Sequence, residues 1–129
     1  RGNAKRVGLV QYFFDSYALI EILQSNPSFE KYNAEEVHIT VLNLIEVVYY
    51  FMQHLGEQKA TVVCNKLRAK ELDISNDVIL SAVRFRNENK KKSLSYADCI
   101  GYIYAKMHNL VFLTGDDAFK NMPNVEFRK

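Results

Sequence analysis

Strands and helices alternate along this chain of 129 residues, which predicts an α/β domain: a three-layer α/β/α sandwich around a mainly parallel central sheet. Two runs carry most of the prediction. Residues 10–14 and 110–114 are apolar at nearly every position, as in strands buried on both faces of a parallel sheet. Between them, hydrophobic residues recur at helical spacing behind Ser or Thr caps.

In order, the first strand stops at Asp15, and Ser16 is placed to cap a helix over 17–24. Asn26-Pro27-Ser28 breaks that helix. Residues 37–39 read as a short strand, and Thr40 caps a strongly apolar helix over 41–54. A helix over 57–70 follows, with Ala60, Val63, Cys64 and Leu67 on one face. Residues 72–74 suit a third strand, and Ser75 and Asp77 open a helix reaching about Asn89. Lys90, Lys91 and Lys92 form a basic loop, after which Ser95 caps a helix over 96–108. The strand over 110–114, a turn or short helix over 116–121 and a last strand over 125–127 complete the pattern.

Composition sets outer limits. Nearly half the residues are apolar, with 8 Tyr and 8 Phe, so the chain can bury a core. A net charge of +2 does not by itself announce a nucleic-acid binder. Cys64 and Cys99 are widely separated and form no paired motif, which suits a reducing, cytoplasmic setting. No apolar run reaches the roughly 18 residues of a membrane span. Residues 1–6 read as a basic arm or tag remnant, leaving 7–129 as one domain. The five glycines make no phosphate-cradling motif, which argues against a nucleotide cofactor, and no Ser-His-Asp or Cys-His set is visible.

Of 15 acidic residues, four stand out. Asp15 follows the first buried strand and Asp116 follows the strand over 110–114 after one glycine, and open parallel sheets bind ligands beyond such carboxyl ends. Glu46 lies in the apolar helix, where a carboxylate is costly unless paired or bound to metal. Helical spacing puts Asn43, Glu46, Tyr50 and Gln53 on one polar stripe. Asp98 sits in the first turn of its helix, with Gly101 a turn later leaving room beside it.

Each acid also has a structural reading: a turn at Asp15, an ion pair at Glu46, a capping box in Ser95-x-x-Asp98, a cap at Asp116. Taken together they point elsewhere. Four converging carboxylates repel one another, and a hard divalent cation such as Mg²⁺ relieves that repulsion.

Four segments carry a family likeness: Phe-Phe-Asp15-Ser16-Tyr-Ala-Leu, Ile-Thr-Val-Leu-Asn-Leu-Ile-Glu46, Leu-Ser-Tyr-Ala-Asp98-Cys-Ile, and Leu-Thr114-Gly-Asp116-Asp-Ala-Phe119. In order and spacing the chain resembles the PIN domain, and within it the VapC-type toxins of toxin–antitoxin pairs, from Val10 to Phe127. The acid that the family usually carries later in the fourth turn is replaced by Ala118, and Asp117 falls at a variable position. The resemblance implies an endoribonuclease using Mg²⁺ or Mn²⁺ held by Asp15, Glu46, Asp98 and Asp116, a homodimer, and an antitoxin partner. Ser16, Thr114 and Asn43 would support the acids. Arg84, Arg86, Lys90, Lys91 and Lys92, just before the Asp98 helix, are the cations placed to meet RNA phosphates. The alternatives are a housekeeping PIN nuclease and a non-catalytic PIN-like binding module. A phosphatase of another α/β fold lacks the Asp-x-Asp it needs, since the first strand ends Asp15-Ser16-Tyr17.

Overall fold

The computed structural model describes residues 9–129; the basic arm over 1–6 lies outside the described residues. Among the described residues, five strands and five α-helices follow in the order β1 (Tyr12–Phe14), α1 (Ser16–Leu23), β2 (Ile39–Thr40), α2 (Val41–Leu55), α3 (Glu57–Leu67), β3 (Glu71–Leu72), α4 (Asn76–Glu88), α5 (Tyr96–Met107), β4 (Val111–Thr114) and β5 (Val125–Phe127).

Every strand pair is parallel. β4 lies between β1 and β5, with Phe13 opposite Phe112 and Phe112 opposite Val125. β2 pairs with β3, Ile39 opposite Glu71. The Phe14 N–H donates to the His38 carbonyl at 3.1 Å, and His38 Nδ1 lies 3.0 Å from the Tyr12 carbonyl, so the β2–β3 pair abuts the free side of β1. The carboxyl ends of β1 and β4 therefore share one rim.

Strand alternation sorts the core into two layers. Tyr12, Phe14 and Leu113 face Leu19 of α1, Val47 and Phe51 of α2 and Ala60, Val63 and Leu67 of α3. Phe13 and Phe112 face the other way, onto Ala82 of α4 and Cys99, Tyr102 and Ala105 of α5. Helices thus cover both sheet faces, the three-layer arrangement expected.

Differences from the sequence reading have local causes. β1 starts at Tyr12, because Leu9 and Val10 are exposed. β2 and β3 are two residues each and sit one or two positions from where they were expected; so short a segment has no alternation to fix its register. The predicted 57–70 helix tightens to a 3₁₀ turn at Arg68–Lys70, and the lysine loop is itself a 3₁₀ turn, Lys90–Lys92. A 3₁₀ segment, Pro27–Tyr32, follows the helix break and buries Phe29 and Tyr32 completely. Gly101 opens no cleft: a Cβ there would stand 2.6 Å from the Phe13 ring and 3.1 Å from that of Phe112. Its missing side chain instead lets α5 lie close to the sheet.

Candidate active site

Asp15, rather than Ser16, caps α1. Its Oδ1 accepts the Ala18 N–H at 2.7 Å and its Oδ2 accepts the Thr114 hydroxyl at 2.5 Å. Its own N–H continues the sheet ladder to the Leu113 carbonyl at 3.1 Å, so the backbone of β4 fixes where the carboxylate starts. Asp15 is only 3% exposed. Burial first, then the charges of Asp98 and Asp116, push its pKa up to about 7 against the pull of those two hydrogen bonds.

Thr114, the last residue of β4 and fully buried, works in both directions. Its hydroxyl donates to Asp15 and accepts the Asp116 N–H at 3.0 Å. Asp116 in turn caps the following turn, accepting the Ala118 N–H at 2.9 Å.

Asp98 closes a capping box with Ser95: its N–H donates to Ser95 Oγ at 3.0 Å and its Oδ2 accepts the Ser95 N–H at 3.3 Å. The capping reading is therefore correct as far as it goes. The same carboxyl is also raised above its ordinary range, by burial first and then by the charges of Asp116 and Glu46, against its bonds to Ser95.

Glu46 is exposed, contrary to its expected place in a largely buried helix. α2 buries only one stripe, including Asn43, Leu44, Val47 and Phe51, and turns Ile45, Tyr49, Met52 and Leu55 outward with Glu46. A second hydroxyl relay orients it. Ser16 Oγ donates to Glu46 Oε1 at 2.5 Å and receives Asn43 Nδ2 at 3.2 Å. Asn43 is buried, its Oδ1 held by the Thr40 N–H and hydroxyl at 3.0 and 3.1 Å.

The acids from four separated stretches thus meet electrostatically at one rim, Asp98 sensing Glu46 and Asp116, and Asp15 sensing Asp98 and Asp116. Among the described residues, no three Asp, Glu, His or Cys side chains stand close enough to share one ion directly.

The cations divide. Lys92 reaches this end of the molecule, its Nζ donating to the Ala118 carbonyl at 3.0 Å, while Lys91 is exposed. Arg84, Arg86 and Lys90 line a different cleft, between α4 and the start of α5. Two flanking groups escaped the sequence reading: Lys129, 3.4 Å from Asp117, and Tyr17, which with Gly115, Asp116 and Asp117 line a cleft of about 460 Å³. The signal for Lys129 was its place just after β5, whose parallel course ends beside β4.

A profile of the PIN domain matches residues 12–125. The chain belongs to the PIN domain family. No curated protein matches the chain in sequence. Among solved structures, this PIN domain is similar to a chain of a toxin–antitoxin complex from Klebsiella pneumoniae, at 22% identity and a TM-score of 0.70 over 90% of this chain and 96% of that one. It is also similar to a chain of VapBC2 from Rickettsia felis bound to a DNA fragment from its promoter (17% identity, TM-score 0.68, 93% and 100% covered). A third likeness is to DNA-bound VapBC from Salmonella typhimurium, at 17% identity and a TM-score of 0.69, covering 92% of this chain and 97% of that one. At these identities the likeness is one of fold. Among the described residues, no helix is long and apolar enough to cross a membrane.

Proposed function

We propose that this PIN domain is a metal-dependent endoribonuclease and the toxin of a type II toxin–antitoxin pair, acting on RNA in the cytoplasm. The observation that carries the reading is Asp15: a carboxyl closed off from solvent, raised to about 7, and facing the charges of Asp98 and Asp116. Such a group is stabilised as an anion by a cation. The donor set is entirely carboxylate oxygen, which suits Mg²⁺ or Mn²⁺ with retained waters rather than a thiolate- or imidazole-seeking metal.

Asp15, Glu46 and Asp98 would hold the ion directly or through its retained waters, and Asp116 would hold it or orient the attacking water. When bound, the ion supplies an acidified water and charge neutralisation at the scissile phosphate. Thr114 keeps Asp15 and Asp116 in fixed relation, and Ser16 with Asn43 aims Glu46. Lys92 and Lys129 flank the acids and offset their repulsion of a polyanion.

The proposed partners are an antitoxin and a second copy of the chain. Support comes from the apolar residues that α2 and α3 leave in solvent, Ile45, Tyr49, Met52, Leu55 and Val62, since exposed apolar patches mark protein contacts. The fold likeness to chains of toxin–antitoxin complexes points the same way.

The test is incubation of wild type and Asp98→Asn with structured cellular RNAs, with and without Mg²⁺ or Mn²⁺. Metal-dependent fragments from the wild type alone are expected. Equal cutting by both proteins, or none by either, contradicts the assignment.

A further inference from the structure

We infer that the cleft between α4 and the start of α5 is a nucleotide subsite, which takes an unpaired base of single-stranded RNA on Tyr96 and its flanking phosphates on Arg84 and Lys90. The inference rests on the nuclease reading for its substrate class and adds where the substrate is gripped and in what form.

Tyr96 is the first residue of α5, two positions before Asp98, yet it is 57% exposed. Its ring does not dangle. The Arg86 guanidinium lies 4.2 Å from the ring centroid, and Arg86 Nε is itself fixed by a 2.8 Å bond to the Leu94 carbonyl. An aromatic ring held in solvent beside a pinned cation is preorganised for stacking, and loses little rotamer freedom when a ligand arrives.

The surroundings set the ligand's charge. The cleft, about 450 Å³, is lined by three cations, Arg84, Arg86 and Lys90, and by no acid. Among the described residues, neither Arg84 nor Lys90 is in an ion pair, and both are exposed. Leu80 and Val83 add exposed apolar surface on the α4 side. A ligand that is both anionic and built of flat apolar rings satisfies all three features. Single-stranded RNA is such a ligand, whereas in a duplex the base faces are covered by their neighbours and the ring has nothing to stack on. An acidic protein segment would satisfy the cations but would leave the preset ring without a planar counterpart.

The experiment is fluorescence anisotropy with an end-labelled single-stranded RNA octanucleotide in EDTA, so that binding is read without cutting. Tyr96→Ala is expected to weaken binding about tenfold or more, and Tyr96→Phe to keep it. Because Tyr96 is exposed, both variants retain the wild-type circular dichroism. The double variant Arg84→Ala, Lys90→Ala lowers the slope of log affinity against log salt by roughly 0.7 for each phosphate no longer neutralised. Wild-type affinity in Tyr96→Ala overturns the proposal. So does equal binding of a duplex of the same sequence, or displacement of the RNA by an oligoglutamate peptide of equal charge, which marks a protein-docking face. The two readings fail separately. Tyr96-dependent binding without metal-dependent cleavage removes the nuclease assignment and keeps the subsite; cleavage with Tyr96-independent binding does the reverse.

Discussion

The Thr114 hydroxyl donates to Asp15 Oδ2 at 2.5 Å, tying the last residue of β4 to the residue that ends β1. Because the same oxygen receives the Asp116 N–H, one side chain positions two acids that are 101 residues apart in sequence (116 − 15 = 101).

Thr114→Val keeps the branched shape and removes the hydroxyl. Asp15 then loses a donor in a site with almost no access to water, which costs about 1–3 kcal/mol. It also loses its orientation, and the affinity for Mn²⁺ falls about 10–100-fold. Urea unfolding and calorimetric Mn²⁺ titration of the two proteins measure both effects; wild-type values for both would mean that the relay is incidental.

The raised pKa of Asp15 fixes the direction of a pH dependence. The carboxyl titrates at about 7 in the folded chain and at 3.8 when unperturbed. Between these values the folded chain holds a proton that the unfolded chain has released, so stability of the metal-free protein falls as pH rises through that window. Asp98 is shifted the same way and adds to the fall. Thermal melts in EDTA are expected to give a lower Tm at pH 8 than at pH 5, and Mn²⁺ to raise the pH 8 value more. A metal-free Tm that climbs from pH 5 to pH 8 contradicts this.

Ser16→Ala separates positioning from folding. The Ser16–Glu46 pair is exposed, so loss of the hydroxyl changes stability by no more than about 0.5 kcal/mol. Glu46 nevertheless loses its tether to Asn43, and metal affinity drops about tenfold. Paired chemical denaturation and Mn²⁺ titration decide the matter; a large loss of stability with unchanged affinity would assign Ser16 to the fold instead.

Gly115 marks a close approach beside Asp116. A Cβ there would lie 2.2 Å from a Tyr17 ring carbon and 2.7 Å from the Arg128 carbonyl oxygen. Arg128 also holds Thr114, its N–H donating to the Thr114 carbonyl at 2.8 Å. Gly115→Ala must therefore push apart the β4–β5 rim or move Tyr17, at a cost of about 1–3 kcal/mol. Denaturant midpoints read this directly, and an unshifted midpoint would show that the rim yields freely.

The sequence was most informative where one physical demand dominated. Phe13, Phe112 and Leu113 sit in runs that only a doubly covered parallel strand tolerates, and each is fully buried. The helix caps Thr40, Ser75 and Ser95 were legible because unpaired helix N–H groups need nearby side-chain or backbone partners. Faces were harder. The apolar run around Glu46 suggested an enclosed helix, yet Ile45, Tyr49 and Met52 point outward, since apolar content does not tell which side of a helix is covered. Gly101 shows the converse: a gap in the side-chain pattern was filled by Phe13, from a distant strand. Lys129 is beside the acids through β5 pairing, a long-range relation that local spacing does not encode.

Asp15, Glu46, Asp98 and Asp116 are proposed to hold a divalent ion between them, in part through its bound waters. Calorimetric titration of Mn²⁺ into wild type, Asp15→Asn and Glu46→Gln, with circular dichroism confirming that each is folded, tests it most directly. The expected result is saturable binding by the wild type and its loss, or at least a tenfold weakening, in both variants. Two folded variants that bind Mn²⁺ as tightly as the wild type would contradict it.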